Sequence, residues 1–154
     1  MKLDEKDLQI LKHLQQDSKM TNKEISVKLD LSITAVYERI KRLEREQVIS
    51  KYVALLNPDK VDKAFTVFCQ IKLIQHTKDY LTRFETEVKS LPEVLECFHV
   101  SGEYDYILKV LVKDMAAYRE FMVTKLTTLD HIGSTQSTFT IEKVKHTTAI
   151  SFNS

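Results

Sequence analysis

The chain has 154 residues and a formal net charge of +1, so its total charge does not by itself indicate a nucleic-acid partner. Hydrophobic residues make up 43% and charged residues 29%, which is typical of a globular protein with one domain or two small ones. No apolar run approaches the ~18 residues of a membrane helix, and the N-terminus has no apolar signal core. We therefore expect a cytoplasmic protein without a membrane partner.

Cysteine and histidine residues form no recognisable metal or catalytic motif. Cys69 and Cys97 are the only cysteines, and in a cytoplasmic chain we expect both to be buried free thiols. No His or Cys pair has the close spacing of a zinc site. The sequence also has no P-loop, no Gly-rich cofactor turn and no Ser/His/Asp set in a recognisable order. We expect neither a metal, nor a cofactor, nor an enzyme.

Apolar spacing predicts a helix close to the N-terminus. Leu8, Leu11 and Leu14 recur at helical intervals within residues 4–16. Asp4 is a natural N-cap for this helix, and the acids that follow it suit the positive end of the helix dipole.

A tight turn separates the next two predicted helices. Thr21 and Glu24 form a capping box that starts a short helix running to about Leu29. Asp30 tolerates the turn conformation that usually requires glycine, and Ser32 caps the helix that follows. The apolar stripe of this third helix, which ends near residue 46, consists of Ile33, Val36, Ile40 and Leu43. Three helices in this order are the minimal unit that places a recognition helix in the major groove.

After residue 46 the periodicity changes from that of a helix to that of strands. Residues 48–56 predict a short extended segment, stopped by Asn57-Pro58-Asp59, and 60–64 predict a linker. The remainder predicts a strand over 65–74, a helix over 80–91, strands over 94–100 and 104–113, a helix over 115–126 and a strand over 135–144. The order β-α-β-β-α-β is that of a ferredoxin-like unit.

The predicted fold class is therefore α+β. It has an N-terminal three-helix, winged-helix-like helix-turn-helix DNA-binding domain at 1–50 and a connector strand and linker at 51–64. A ferredoxin-like βαββαβ domain follows at 65–154.

Two motifs are specific enough to indicate a family. One is the stretch from Leu31 to Glu44, and the other runs from Val100 to Asp105 and contains Ser-Gly-Glu-Tyr-Asp. The first is similar to the recognition helix of the Lrp/AsnC (feast/famine) regulators, and the second to the Gly-x-Tyr/Phe-Asp turn of their effector domain. Residues 48–57 resemble the connector of the same family. The family often has glycine at the positions of Asp30 and Gln47 and again near Asp62, so fine turn geometry differs here.

This resemblance implies a transcriptional regulator that binds double-stranded DNA at the nucleoid. It further implies a homodimer, formed through the sheet domains, that assembles into tetramers, octamers or larger rings. A free amino acid or a related small molecule would bind between neighbouring dimers and change assembly or DNA affinity. The alternative is an amino-acid sensor whose helical head binds a protein partner.

One side of the third helix carries the candidate DNA contacts. We predict base reading by Thr34, Ala35 and Glu38, near the start of the helix. We predict phosphate contacts by Lys41, Arg42 and Arg45, and by Lys23 and Ser32 at helix starts; Tyr37 borders the same face. Arg39 lies on the flank, where a phosphate contact and a salt bridge to a neighbouring acid both remain open. Charge alone favours a solvated helix face with pairs such as Glu38–Arg42 and Lys41–Arg45, and it is the family resemblance that favours DNA contacts.

The turn after the second predicted strand of the sheet domain carries the candidate effector contacts. Gly102 allows a tight turn whose exposed amides suit a carboxylate, and Asp105 suits an ammonium group. Together they are complementary to a zwitterionic amino acid, although Asp105 in such a turn also serves simply as a hairpin cap. The candidate residues are Ser101, Gly102, Glu103, Tyr104 and Asp105, with Thr135, Gln136 and Ser137 as a second wall.

Overall fold

A computed structural model describes residues 2–152 of the chain. They form two compact units: unit 1 contains the residues up to Leu55 together with those from Val144 onward, and unit 2 contains Leu56–Lys143. None of the described helices is both long and apolar enough to cross a membrane. Within residues 2–152, no three His, Cys, Asp or Glu side chains are grouped so that they could hold a metal ion.

Unit 1 is built on three helices whose starts are set by local hydrogen bonds. They are α1 (Glu5–Gln16), α2 (Asn22–Leu29) and α3 (Ile33–Arg45). Thr21 and Glu24 complete the predicted capping box of α2, and the Ser32 side chain accepts from the N–H of Ala35. Asp30 adopts the left-handed conformation, with φ of 53°, in the turn between α2 and α3. The predicted helix-turn-helix is therefore confirmed.

The hydrophobic core of unit 1 lies where the three helices face each other. Its buried members are Ile10, Leu11, Ile25, Leu29, Val36, Ile40 and Leu43. Val36 and Leu43 are fully buried, so the predicted apolar stripe holds α3 against its neighbours. Ile33, predicted as part of that stripe, is instead 51% exposed. It is the first residue of α3 and precedes the helical turn that packs into the core.

The last described residues of the chain pack within unit 1. The side-chain amide of Gln15 on α1 donates to the carbonyl of Ile150 over 3.1 Å and accepts from its N–H over 2.6 Å. Phe152 packs against the core of unit 1. Residues 144–152 thus belong with the helices, whereas the sequence prediction placed all of 65–154 in the second domain. Contacts across so many positions leave no trace in local periodicity.

The packing of residues 144–152 against unit 1 leads to a prediction about its stability. We expect Phe152→Ala to lower the free energy of unfolding of unit 1 by about 1–2 kcal/mol, because a half-buried aromatic ring loses part of its contact with the core. Chemical denaturation followed by circular dichroism measures the change. Ser151→Ala alters the exposed neighbouring residue and is the matched control. A loss no larger than that of the control would show that the segment adds nothing to the core.

Unit 2 is a four-stranded antiparallel sheet with two helices. Its strands are β1 (Phe65–Leu73), β2 (Val94–His99), β3 (Tyr106–Val112) and β4 (Ile132–Phe139), and its helices are α4 (Lys78–Lys89) and α5 (Met115–Thr124). The strands lie in the order β2-β3-β1-β4, and each neighbouring pair is antiparallel. This arrangement confirms the predicted ferredoxin-like order of elements.

One face of the sheet forms the core of unit 2 with the helices. Alternate residues of β1 and β3, such as Cys69 and Leu108, are fully buried on this face. Phe84 of α4 is also fully buried and packs its ring against that of Tyr106, with the ring centres 4.6 Å apart. The helices therefore cover one face only.

The opposite face of the sheet, which we call the open face, is uncovered in the single chain. The strand register places Phe98, Ile107, Gln70 and Gln136 in one row across it, and Glu96, Lys109, Phe68 and Thr138 in the next. Phe68 is 41% exposed and Phe98 is 53% exposed. Large aromatic rings exposed on a sheet face are typical of a surface that meets a partner.

The final strand differs from its predicted position. It runs from Ile132 to Phe139, not from residue 135 to 144. Its neighbour β1 begins at Phe65, so residues beyond 140 have little strand left with which to pair. The hydroxyl-rich residues 134–138 still lie in the strand, as the sequence indicates.

Two other segments and one cysteine also differ from expectation. Residues 51–57 form no helix or strand in the single chain, although their apolar pattern predicts an extended segment. The helix predicted over 115–126 ends at Thr124 and is followed by a 3₁₀ turn. Cys97 is exposed on the edge strand β2, while Cys69 is buried as expected, and both thiols are free.

Candidate functional site

The predicted DNA contacts on α3 lie largely on its solvent-exposed side. Thr34, Tyr37, Glu38, Lys41 and Arg45 are exposed along this side, which we call the reading face, and Ala35 lies half-buried at its edge. Ser32 and Lys23, at the starts of α3 and α2, are exposed as well. Arg39 and Arg42 lie apart from this set and are half-buried.

Lys41 occupies the middle of the reading face. Its Nζ donates to Glu44 Oε2 over 2.9 Å and lies 5.8 Å from the centre of the Tyr37 ring. The hydrogen bond to Glu44 raises the pKa of Lys41 and lowers that of Glu44. Burial, helped by its hydrogen bond to Glu44, raises the pKa of Tyr52 to about 12. Exposed ion pairs contribute little energy, so Lys41 remains available to a DNA phosphate.

Arg39 and Arg42 point back toward α1. Both donate to the carboxylate of Asp7, which has no exposed surface. Arg39 Nη1 lies 2.7 Å from Oδ1, and Arg42 Nη2 lies 2.7 Å from Oδ1 and 2.6 Å from Oδ2. Of the two roles open for Arg39, the structure shows the salt bridge. Arg42, predicted as a phosphate contact, is bound in the same way.

Asp4 completes this cluster of charges. It caps α1 by accepting from the N–H of Asp7, as the sequence predicts, and its Oδ2 also accepts from Arg39 over 2.7 Å. The hydrogen bond from Arg39 lowers the pKa of Asp4, and the same interaction raises the pKa of Arg39. The negative charges of Asp4 and Asp7 therefore neutralise the positive charges of Arg39 and Arg42.

In unit 2, Asp105 is occupied by contacts within the chain. Its Oδ2 accepts from the N–H of Leu73 over 2.7 Å, and its Oδ1 lies 2.8 Å from His76 Nε2. Its own N–H donates to the carbonyl of Ile71 over 2.8 Å. The side chain is only 15% exposed. Asp105 thus ties the turn to the end of β1, which is the capping role that the sequence left open.

The turn before Asp105 borders an open cleft of about 730 Å³. Its walls are formed by Gln70, His99, Val100, Ser101, Glu103, Tyr104 and Ile107. Gly102 has a φ of 122° and nothing within 4 Å of the position where a Cβ would stand, so it serves the turn by its backbone conformation. Gln70 and Ile107 belong to the open face, so the cleft opens onto that face.

The second predicted wall is divided between the two faces of the sheet. Gln136 lies on the open face and accepts from the Tyr104 hydroxyl over 2.5 Å. Thr135 and Ser137 alternate with it and face the helices, where Ser137 Oγ lies 2.6 Å from the hydroxyl of Tyr118. Within one chain, therefore, only Gln136 of these three adjoins the turn.

Two residues of these sites are absent from the sequence prediction. Asp7 lies at helical spacing from Leu11 and Leu14, on the core-facing side of α1. A carboxylate at such a position is a signal for a buried partner, and it could have been read from the sequence. His76 has no comparable signal, because its contact with Asp105 depends on the path of the loop after β1.

Comparisons with known proteins agree with both units. The family model of the Lrp/AsnC ligand binding domain matches residues 66–150, and a model of winged helix-turn-helix DNA-binding domains matches residues 3–50. A Bkd operon transcriptional regulator from Pseudomonas aeruginosa is 37% identical over 92% of this chain and 93% of its own. A leucine-responsive regulatory protein from Escherichia coli is 41% identical over 93% of this chain and 87% of its own.

Solved structures support the same conclusion. A transcriptional regulator from Neisseria meningitidis, crystallised as a complex with L-Met, is 34% identical and superposes with a TM-score of 0.94 over 99% of this chain and 98% of its own. An AsnC family regulator from Agrobacterium tumefaciens is 38% identical, with a TM-score of 0.93 over 97% of each chain. The chain therefore belongs to the Lrp/AsnC family of transcriptional regulators, with a helix-turn-helix domain for DNA and a ligand-binding domain.

Proposed function

We propose that this regulator reads double-stranded DNA with the reading face of α3 and responds to a free amino acid bound beside the turn at residues 101–105. The reading face carries the proposal, because it joins exposed polar and basic residues on a helix that is rigidly capped and packed. The role is regulatory and non-enzymatic, and it is exercised at the nucleoid.

On DNA, the N-terminal part of the reading face would meet the bases. Glu38 would accept from a cytosine amino group, Thr34 would bond a base edge, and the methyl of Ala35 would contact a thymine methyl. Lys41 and Arg45 would lie against the phosphates, together with Lys23 and Ser32 at helix starts. A dimer presents two such helices, so its operator would be roughly two-fold symmetric.

Lys41→Ala tests this interface. We expect it to weaken binding to all sequences alike and to flatten the slope of log affinity against log salt by about one unit, because one phosphate contact is lost. A salt titration of binding to a duplex selected by the wild-type protein measures the slope. Lys12→Ala, at an exposed position of α1, is the control, because it removes the same charge away from the reading face. An unchanged slope in Lys41→Ala would remove this residue from the interface.

The effector is proposed to be an amino acid held in the cleft. The Neisseria meningitidis relative was crystallised with L-Met, and the Escherichia coli relative is named for its response to leucine. The exposed backbone around Gly102 would meet the carboxylate, and Tyr104, Glu103 and Gln70 border the space for the remainder of the ligand. Because Asp105 is bound to Leu73 and His76, we assign it to shaping the turn.

Calorimetry with each of the common amino acids tests the cleft. We expect at least one to bind, and Tyr104→Ala to weaken that binding about tenfold or more, since it removes a wall and the hydroxyl that holds Gln136. Val123→Ala, on the exposed side of α5, is the control. If no amino acid produced heat while the protein still bound DNA, the effector assignment would fall.

We further propose that two chains dimerise through their open faces, and that dimers assemble into tetramers or octamers. The exposed rings of Phe68 and Phe98 support this, because pairing would remove both from water. In such a dimer each chain would partly cover the cleft of the other, since Gln70 and Ile107 belong to both surfaces. Binding of the ligand and assembly of the chains would then be coupled, because both involve Gln70 and Ile107.

A further inference from the structure

The contact between α1 and α3 is organised around one buried carboxylate. Asp7 has no exposed surface, and it accepts from both Arg39 and Arg42 at 2.6–2.7 Å. With Asp4 these residues form what we call the α1–α3 charge cluster. The cluster lies beside the core of unit 1 and outside the reading face.

The geometry of the cluster restrains α3 about its own axis. Arg39 and Arg42 are one helical turn apart, and they converge on the same carboxylate of a different helix. Rotating α3 in either direction would lengthen at least one of these short bonds. Arg42 Nε is buried and has no hydrogen-bond partner in the described part of the chain, and the hydrogen bonds of this guanidinium to Asp7 are made by Nη2.

The cluster also changes which cations α3 presents to DNA. The helix carries four basic residues, but two of them are neutralised by Asp4 and Asp7. Lys41 and Arg45 remain on the exposed side, with partners only at its surface. The basic surface available to phosphates is therefore about half of what the sequence of α3 indicates.

We propose that Asp7 is a positioning residue for DNA recognition. It withholds Arg39 and Arg42 from the phosphates and sets the rotation of α3, so that Thr34 and Glu38 face the bases. This proposal rests on the reading face proposed above as the DNA interface. In this proposal Arg42 does not make the DNA phosphate contact that the sequence predicted, but binds Asp7 and so helps to orient α3.

A salt titration distinguishes positioning from a direct contact, because its slope counts the cations that neutralise phosphates. Arg42→Gln should leave the slope unchanged. It should nevertheless lower the ratio of selected-site to unrelated-site affinity by about tenfold, the equivalent of one lost base contact. Asp7→Asn should steepen the slope by up to about one unit, because Arg42 loses its only acidic partner while Arg39 keeps Asp4.

The experiment compares wild type, Arg42→Gln, Asp7→Asn and the double variant on two duplexes of equal length. One is selected from random sequence by the wild-type protein, and the other is unrelated to it. The double variant should return to the wild-type slope, since it lacks the Arg42 guanidinium that Asp7→Asn alone sets free and Arg39 is still paired with Asp4. Flattening of the slope by about one unit in Arg42→Gln would overturn the proposal, because it would place Arg42 on a phosphate.

Thermal unfolding of each variant accompanies the titrations. If Asp7→Asn does not fold, Arg42→Gln alone tests the proposal. An unchanged salt slope together with a lower ratio of selected-site to unrelated-site affinity then supports the positioning role of Asp7. Lys41→Ala separates failure of the positioning role of Asp7 from failure of the proposed DNA interface. An unchanged slope in Lys41→Ala would reject the reading face as the DNA interface, whatever Arg42→Gln shows. A reduction in stability with an unaltered affinity ratio in Arg42→Gln would leave Asp7 a purely structural role and overturn the proposal.

Discussion

Replacing Asp7 with alanine should destabilise unit 1 by about 3 kcal/mol. The change removes a buried carboxylate, which leaves Arg42 without a counter-charge and Arg39 with Asp4 alone. Both arginines are partly exposed and can turn toward water, which keeps the loss at the lower end of the range for broken buried pairs. Denaturation in urea followed by circular dichroism would give the difference in the free energy of unfolding.

Glu5→Ala provides the matched control for this variant. Glu5 is an exposed acid in the same first turn of α1, so its loss should change stability by no more than about 0.5 kcal/mol. The two substitutions remove the same charge from the first turn of α1, but only Asp7→Ala also removes the acceptor of the Asp4 N–H in the capping box. If Asp7→Ala were as mild as Glu5→Ala, the α1–α3 charge cluster would contribute nothing to the fold.

Phe98→Glu should strongly weaken the proposed open-face dimer without unfolding unit 2. Phe98 is 53% exposed in the single chain, so a carboxylate is tolerated there before association. In a symmetric dimer the substitution occurs twice, and each buried, unpaired carboxylate costs about 2 kcal/mol or more. The dimer should therefore weaken by about a thousandfold.

Sedimentation velocity over a range of concentrations measures this effect. Val123→Glu introduces the same charge at an exposed position of α5, away from the open face, and should leave association unchanged. A Phe98→Glu protein that sediments as the wild type would show that the open face is not the dimer surface. The proposed dimer, and any assembly built from it, would then need a different contact.

Features that depend on neighbouring residues were predictable. Thr21 with Glu24, and Ser32, are caps whose partners lie three positions along the chain. Asp30 lies in a turn that demands a left-handed residue, and few residue types satisfy it. The alternation of β1 and β3 follows in the same way from the two-residue period of a strand. Each of these is decided within a few residues, so the sequence carries the information directly.

The candidate sites were only partly predictable, because they depend on which elements meet. The exposed side of α3 follows from the position of Val36 and Leu43, which were readable as its buried stripe. The partner of Arg42 did not follow, because Asp7 is 35 positions away and belongs to another helix. Thr135 was grouped with Gln136 by its chemistry, although adjacent residues of a strand face opposite sides of the sheet.

By itself, the sequence determined the kinds of element, their order, the helix-turn-helix and the resemblance to a family. Those properties rest on periodicity, caps and motifs, which are local. Only the tertiary structure decided that Asp7 holds two arginines of α3, that Asp105 is bound to Leu73 and His76, and that Ile150 returns to Gln15. A charged side chain or a free backbone amide takes whichever partner folding brings within about 3 Å, and the chain's local pattern does not specify that partner.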